Sequence, residues 1–235
     1  MAMLDKIYHQ LIVSCQARPG EPLRDAAIMA KMAQAAVLGG AAAIRAAGVE
    51  DILAIKAAVS VPVIGLIKRN YPDSEVYITP TEREVEELVA TGCEMIAIDA
   101  TARVRSNGTK LENLIALIHH HRRLALADVA TFTEAKAAQD LGFDAVATTM
   151  AGYTSYTRLL PGPDFRLLRK MVRRLFVPVI AEGRIYDARD LRKVLRIGPH
   201  AVVIGTAITR PHAITERFVR LMQADKYQKT PGTRE

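Results

Sequence analysis

Short apolar runs alternate along the chain with longer stretches whose apolar positions recur at helical spacing, and the alternation repeats eight times. The strand-like runs are Leu11 to Gln16, Ala41 to Ala46, Val61 to Lys68, Glu94 to Ala100, Leu124 to Val129, Ala145 to Met150, Val177 to Glu182 and Ala201 to Gly205. Helical patterns lie near Arg24 to Leu38, Glu50 to Val59, Glu82 to Thr91, Leu111 to Arg123, Phe132 to Leu141, Asp164 to Leu175, Ala188 to Arg196 and His212 to Met222. That order predicts an α/β protein with a parallel sheet. The runs are rich in Val, Ile and Ala and lack polar alternation, as expected of strands buried on both faces. Most of them end in a polar residue: Gln16, Arg45, Lys68, Asp99, Asp128, Thr148 and Thr149, and Glu182.

Three helix starts carry capping-box spacing, in Thr81 with Glu84, Thr109 with Glu112, and Thr131 with Glu134. Helix-to-strand turns are short and hold Gly or Pro, as at Gly92, Gly142 and Gly198-Pro199, whereas strand-to-helix loops are long, notably Arg69 to Pro80, Thr101 to Lys110 and Ala151 to Pro163. Long loops at one end of the sheet mark a functional face. Eight units in 235 residues predict a single-domain (β/α)8 TIM barrel over residues 1–225, followed by a polar tail at 226–235. A doubly wound open sheet is the alternative. It is disfavoured because no strand runs into a Gly-x-Gly-x-x-Gly turn, and because polar strand ends converge on one funnel only in a barrel.

Composition narrows the class of function. No uncharged apolar run approaches the roughly 18 to 20 residues of a membrane span, and Met1-Ala2-Met3-Leu4-Asp5-Lys6 lacks a signal-peptide layout, so a cytoplasmic protein with no membrane partner is expected. Cys15 and Cys93 fall in predicted strands and read as small buried hydrophobes. The net charge of +7 raises nucleic acid as a partner, but the arginines of Arg166 to Arg174 and Arg189 to Arg196 interleave with leucines at helical spacing. Aromatics make up only 5% and Trp is absent, so nucleic acid is not expected. A field that attracts a small phosphorylated substrate accounts for the charge equally well.

Candidate chemistry sits at the strand ends. Phosphate sites in such barrels commonly use the loops after strands seven and eight, here Gly183-Arg184 and Gly205-Thr206 through Arg210. Lys68 leaves a strongly apolar strand beside Arg69, so desolvation and a like charge are both expected to lower its proton affinity, as proton abstraction or Schiff-base chemistry requires. Glu182 reads as a counter-ion of Lys68 or as its acid/base partner, and Asp128 and Asp99 carry the same two readings. His119, His120 and His121 point in different directions on a helix, and Cys15 has no evident base partner.

These residues resemble the N-acetylmannosamine-6-phosphate 2-epimerases of sialic-acid salvage over nearly the whole chain. The likeness is carried by Leu11 to Gln16, Gly65-Leu66-Ile67-Lys68-Arg69, Ala97-Ile98-Asp99-Ala100-Thr101, Thr148-Thr149-Met150, Ile180-Ala181-Glu182-Gly183-Arg184 and Gly205-Thr206-Ala207-Ile208-Thr209-Arg210. The resemblance implies a barrel enzyme without metal or cofactor, acting on a phosphorylated N-acetylhexosamine and forming a homodimer in which Ala213 to Met222 packs between subunits. It implies Lys68 and Glu182 as catalytic residues, and Gln16, Arg45, Asp128 and Arg210 as residues that hold the sugar or organise the site. Asn70, Ala151 and Thr206 depart from the residues common in that family. A lysine-dependent phosphosugar aldolase and a silent phosphosugar-binding regulator are the competing readings.

Overall fold

The structure is a computed structural model, and it describes residues 2–228. A short helix α1 (Met3–Ile7) precedes β1 (Leu11–Cys15), α2 (Ala26–Leu38), β2 (Ala43–Ala47), α3 (Val49–Ala58) and β3 (Val63–Leu66). Then come α4 (Glu82–Thr91), β4 (Met95–Asp99), α5 (Leu111–His120), β5 (Leu124–Asp128), α6 (Phe132–Asp140) and β6 (Ala145–Ala147). The last third holds α7 (Phe165–Arg174), β7 (Val179–Glu182), α8 (Ala188–Leu195), β8 (Ala201–Ile204), a single turn α9 (Thr206–Thr209) and α10 (Pro211–Gln228). The eight strands pair in parallel and in sequence order, and β8 closes on β1 through Leu11 beside Val202, so the chain forms the expected (β/α)8 barrel. The last helix runs to Gln228, three residues into the expected tail, and the rest of that tail lies outside the described residues.

The two-residue period of each strand sorts its side chains into two cores. Ile12, Ala43, Ile64, Leu66, Met95, Ala97, Leu126, Ala145, Ile180 and Val203 fill the barrel interior. Their neighbours in sequence, such as Val13, Ile44, Val63, Ile96, Ala125, Val146 and Val202, face the surrounding helices. Helix α1, for which the sequence carries no periodic signal, closes the lower end by placing Met3 and Ile7 against the interior set.

Two strands end earlier than their apolar runs. Beyond Leu66 the chain folds back on itself, with Thr79 N donating to Ile67 O (2.7 Å), Arg69 N to Tyr77 O (3.0 Å), and Lys68 bridged to Ile78. Beyond Ala147, a 3₁₀ turn at Thr148–Met150 replaces strand because the Thr148 hydroxyl donates to Glu182 O (2.8 Å) and accepts from Glu182 N (3.0 Å). The capping boxes of Thr81 and Thr131 form as expected. The third does not: Lys110 takes the cap position of α5, and the Thr109 hydroxyl turns to Glu82 (3.3 Å).

Gly65 marks where β3 and the helices make their closest approach. A β-carbon built there would lie 2.8 Å from Cys93 Sγ and 3.1 Å from both Ile52 Cδ1 and Leu88 Cδ2. Gly65→Ala should therefore destabilise the fold by about 1–3 kcal/mol through overpacking. Denaturant unfolding would read this as a lower midpoint at unchanged slope, and an unchanged midpoint would mean that the β3 layer has slack.

Candidate active site

The interior alternation places the ionisable strand ends in one layer at the top of the barrel. Ile64 and Leu66 point inward and so does Lys68; Leu126 leads to Asp128, Ala43 to Arg45 and Ile180 to Glu182. A funnel opens above this layer, lined among others by Gln16, Arg45, Lys68, Glu182, Gly183 and Arg184, and by Gly205, Thr206 and Arg210 on its far side. Every residue singled out from sequence for a catalytic or binding role is thus at one mouth except Asp128, and Asp99, which carries the same two readings, also lies off the funnel. Asp128 is fully buried beneath the mouth and reaches the funnel only through its partners.

Arg45, 1% exposed, is the hub of this layer. Its Nη1 donates to Asp128 Oδ1 (3.0 Å) and Glu182 Oε2 (2.7 Å), and its Nη2 donates to Asp128 Oδ2 (2.5 Å). The Thr149 hydroxyl donates to the same two carboxylates, at 2.6 Å to Asp128 Oδ1 and 3.3 Å to Glu182 Oε2. Burial raises the proton affinity of Glu182 above the usual carboxylate range; Arg45 opposes this and the Asp128 charge adds to it.

Lys68 stands open in the funnel and forms no ion pair among the described residues; Glu182 pairs with Arg45 instead. Enclosure by the funnel walls, and then the charges of Arg45 and Arg18, pull its pKa down from 10.5 to about 8. Arg69, expected to act on Lys68 as a like charge, does not. It lies on the opposite side of the strand, paired with Glu84 and, at 3.0 Å, with Glu87. The two-residue period accounts for this, since adjacent residues of an extended chain face apart.

The loops after β7 and β8 meet across the funnel. Gly183 and Arg184 both have positive φ (113° and 56°), and the N–H groups of Gly183, Arg184 and Ile185 find no acceptor among the described residues. Such a succession of free N–H groups makes an anion-binding concavity. The Arg184 side chain is turned to bracing: Nε donates to Gly162 O (3.0 Å) and Nη1 to Ala151 O (2.7 Å), which ties down the loop after β6. Gly205 lies against Ser14, whose Cβ would be 3.1 Å from an added β-carbon, and Thr209 Oγ1 donates to Ser14 O (2.7 Å). Arg210 reaches Glu21 through Nη2, linking the loop after β8 to the loop after β1. Gln16 Nε2 donates to Ser14 Oγ (2.8 Å), leaving its Oε1 buried without a partner.

Sequence reasoning missed Arg18, Tyr77, Tyr153 and Tyr186 as funnel residues, and Thr149 as the second holder of the carboxylates. Only seven tyrosines occur in the chain, and three of them line this funnel from strand-to-helix loops, so their concentration on that face was an available signal. Asp99 lies outside the funnel, held by Arg103 (2.5 Å) and by Thr101. Cys15 packs in the outer core with its thiol pKa pushed up to about 12 by burial, as a packing role requires. Of the three histidines, His119 turns to Asp144 (2.9 Å), while the rings of His120 and His121 meet edge to face at 5.1 Å.

The model of the family described as "Putative N-acetylmannosamine-6-phosphate epimerase" matches residues 29–224. A Clostridioides difficile protein described as "Putative N-acetylmannosamine-6-phosphate 2-epimerase" is 54% identical over 94% of this chain and 99% of its own length. A protein of the same description from Caldanaerobacter subterraneus is 48% identical over 97% of both chains. The solved N-acetylmannosamine-6-phosphate 2-epimerase from Clostridium perfringens superposes with a TM-score of 0.93 at 52% identity, covering 94% of this chain and 96% of that one. Thiamine phosphate pyrophosphorylase from Pyrococcus furiosus, with a TM-score of 0.64 at 16% identity, shares the fold alone.

The lowered pKa of Lys68 has a consequence for stability. Between about 8 and 10.5 the unfolded chain holds a proton on Lys68 that the folded chain has released, so this residue's contribution makes stability rise with pH across that window. Below pH 8 the charged amine carries its full penalty. Lys68→Met should therefore raise the thermal midpoint at pH 7, with the gain shrinking as pH passes from 8 toward 10.5. A gain that does not vary with pH would mean that the funnel does not disfavour the charged amine.

Proposed function

The chain belongs to the N-acetylmannosamine-6-phosphate 2-epimerase family, a family of isomerases, and on that premise we propose that it interconverts N-acetylmannosamine 6-phosphate and N-acetylglucosamine 6-phosphate by moving the proton on carbon 2. The observation that carries this reading is an unpaired amine of depressed pKa, Lys68, sharing one funnel with a carboxyl group of raised pKa, Glu182. Inversion at carbon 2 needs that proton removed, and it is acidic only when carbon 1 is an aldehyde, so the open-chain sugar is the reacting form. The Lys68 amine takes the proton as the carbon–hydrogen electron pair moves into an enolate; a proton returned to the other face of carbon 2 completes the inversion. Glu182 is the partner of Lys68, either returning that proton or setting the charge of the amine.

The other funnel residues divide between positioning and binding. Arg45 and Thr149 hold Glu182 in place, with Asp128 fixing Arg45 in turn, and three of the four Nη N–H groups of Arg45 are taken up in doing so. The sugar phosphate is held by the free N–H groups of Gly183 and Arg184, by Gly205 and Thr206, and by the Arg210 charge. Gln16, with its unpartnered carbonyl oxygen, takes a donor group of the sugar.

We further infer a homodimer built on α10. From Thr215 to Ala224 every residue of this helix is exposed, including Phe218 at 64% and Met222 at 67%; Arg217 donates to Tyr186 O (3.1 Å), and at the start of the helix His212 Nε2 lies 3.7 Å from Glu21 Oε1. Ile214, Phe218 and Leu221 recur at helical spacing as an apolar stripe. In the ring of outer helices α2, next after α10, presents a matching apolar face, with Ile28, Ala35 and Leu38 exposed, Leu38 at 89%. A second copy of the chain, laying its own α10 on that face, covers both stripes.

Incubation with N-acetylmannosamine 6-phosphate in deuterated water, followed by proton NMR, should give the gluco epimer with deuterium at carbon 2. Lys68→Met should lower kcat by about 10² to 10⁴-fold with the fold intact, and wild-type kcat/KM should rise with pH through about 8 as the amine becomes neutral. Borohydride trapping of substrate on Lys68, without epimer, would assign an aldolase instead; binding without exchange or product would assign a regulator. Sedimentation equilibrium should give the mass of a dimer for the wild type and of a monomer for Phe218→Asp/Met222→Asp. A monomeric wild type would refute the pairing.

A further inference from the structure

Away from the funnel, the positive charge of the chain is concentrated on two adjacent outer helices. α7 carries five basic residues and the stretch from Arg189 to Arg196 carries four, against the single acid Asp190; nine less one is +8, more than the +7 of the whole chain. On three other helices a basic residue pairs with an acid one turn away: Arg83 with Glu87 on α4, Lys136 with Asp140 on α6, and Arg220 with Glu216 on α10. No basic residue of α7 or α8 forms an ion pair among the described residues. Arg169 and Arg173 are instead neighbours at i,i+4, as are Arg192 and Arg196, an arrangement of like charges that costs helix stability. A solvated face optimised for stability alone would carry acids at these spacings, as α4, α6 and α10 do.

The two cationic rows converge on a cleft of about 360 Å³, lined by Arg169, Arg173, Lys193 and Arg196 with Phe165 and Ile197 as apolar wall. Lys193 Nζ stands 5.6 Å from the centre of the Phe165 ring, which holds it over the cleft. We propose that this cleft is a second anion site, separate from the barrel mouth, and that it takes a polyphosphate: a small linear anion bearing two or more phosphoryl groups. Four cationic heads from two packed helices exceed what one phosphate group can engage, and three of them are guanidinium groups, which can bind phosphate oxygens in pairs. The volume falls at the small end of the roughly 300–1,000 Å³ of small-ligand sites. With one aromatic ring in the cleft there is no succession of stacking platforms for a nucleic-acid strand.

Tripolyphosphate is the probe, titrated calorimetrically into the full-length protein, with pyrophosphate, adenosine triphosphate and orthophosphate in parallel. Tripolyphosphate should bind, weakening as salt rises from about 50 mM to about 200 mM, and should not be displaced by the sugar phosphate. The relative affinities of pyrophosphate and adenosine triphosphate then tell whether the chain of phosphates alone is read or a nucleoside with it. Arg173→Glu/Arg196→Glu should weaken binding by at least about tenfold with epimerase turnover unchanged, whereas the control Lys31→Glu/Arg122→Glu, away from the cleft, should bind like the wild type. If the double reversal impairs folding, Arg173→Gln/Arg196→Gln serves the same comparison. Equal losses in control and cleft variants would reduce the effect to the overall field of the protein. Competition with the sugar phosphate, binding of orthophosphate as tight as that of tripolyphosphate, or a preference for duplex DNA at this face would each overturn the proposal.

Discussion

The site depends on one buried guanidinium. Arg45 is sealed inside the barrel at 1% exposure, and such a charge is tolerated because acceptors of opposite sign meet its Nη groups, although its buried Nε finds no acceptor among the described residues. Asp128 and Glu182 supply them from strands three and five places along the sheet, so the arginine sets where both carboxylates stand. Two acids on one base leave an excess of negative charge. Thr149, donating to both carboxylates, spreads that excess without adding a charge of its own. Removing the arginine would strand two buried carboxylates, which is why it belongs to the architecture of the site as well as to the lining of the funnel.

Above this layer the fold turns a strand period into a funnel. Each of Arg45, Lys68, Asp128 and Glu182 continues an inward series of apolar residues, so their convergence follows from barrel closure. The return hairpin at Arg69 to Thr79 then fixes Lys68 by backbone bonds on both sides of it, and presents Tyr77 across the mouth. The Arg184 side chain performs the matching service for the loop after β6, and Arg210 with Glu21 for the loop after β1. Charged side chains thus hold the loops while backbone N–H groups stay free to meet an anion.

This logic explains what could be read from the chain alone. Barrel closure, the strand order and the charged upper layer were legible because a period of two and an ionisable residue at the end of an apolar run are both local signals. The same period contains the answer on Arg69, which must face away from Lys68. Helix α1 was not legible because two buried residues in five, Met3 and Ile7, make no pattern. The hairpin after β3 carries Tyr77, and its pairing of Lys68 with Ile78 is a tertiary event across a long loop. Thr148 and Thr149 were visible as polar strand ends, but their bonds to Glu182 exist only once β6 and β7 lie side by side. Thr109 followed a sound local rule and lost to a partner on another helix, Glu82.

Lys68 and Glu182 are shifted in opposite senses by a shared cause. Enclosure penalises the charged form of both, moving the amine down and the carboxyl up, so each is drawn toward its neutral form. The charges then couple them. With Lys68 protonated, the layer of Arg45, Lys68, Asp128 and Glu182 is electrically balanced; when the amine loses its proton, one negative charge is left over and Glu182 gains proton affinity. In the proposed reaction this coupling matters more than either shift alone. A neutral amine beside a protonated carboxyl is a base and an acid ready together at a pH where a free lysine and a free glutamate would both be ionised. The same balance ties the amine to the cations around it. Arg18 and Arg45 help to deprotonate Lys68, and a bound phosphate dianion, by offsetting part of their field, returns some proton affinity to the amine while the substrate is in place. A site that binds with cations and reacts through an amine must keep those two effects within range of each other, and here the two carboxylates on Arg45 hold them there.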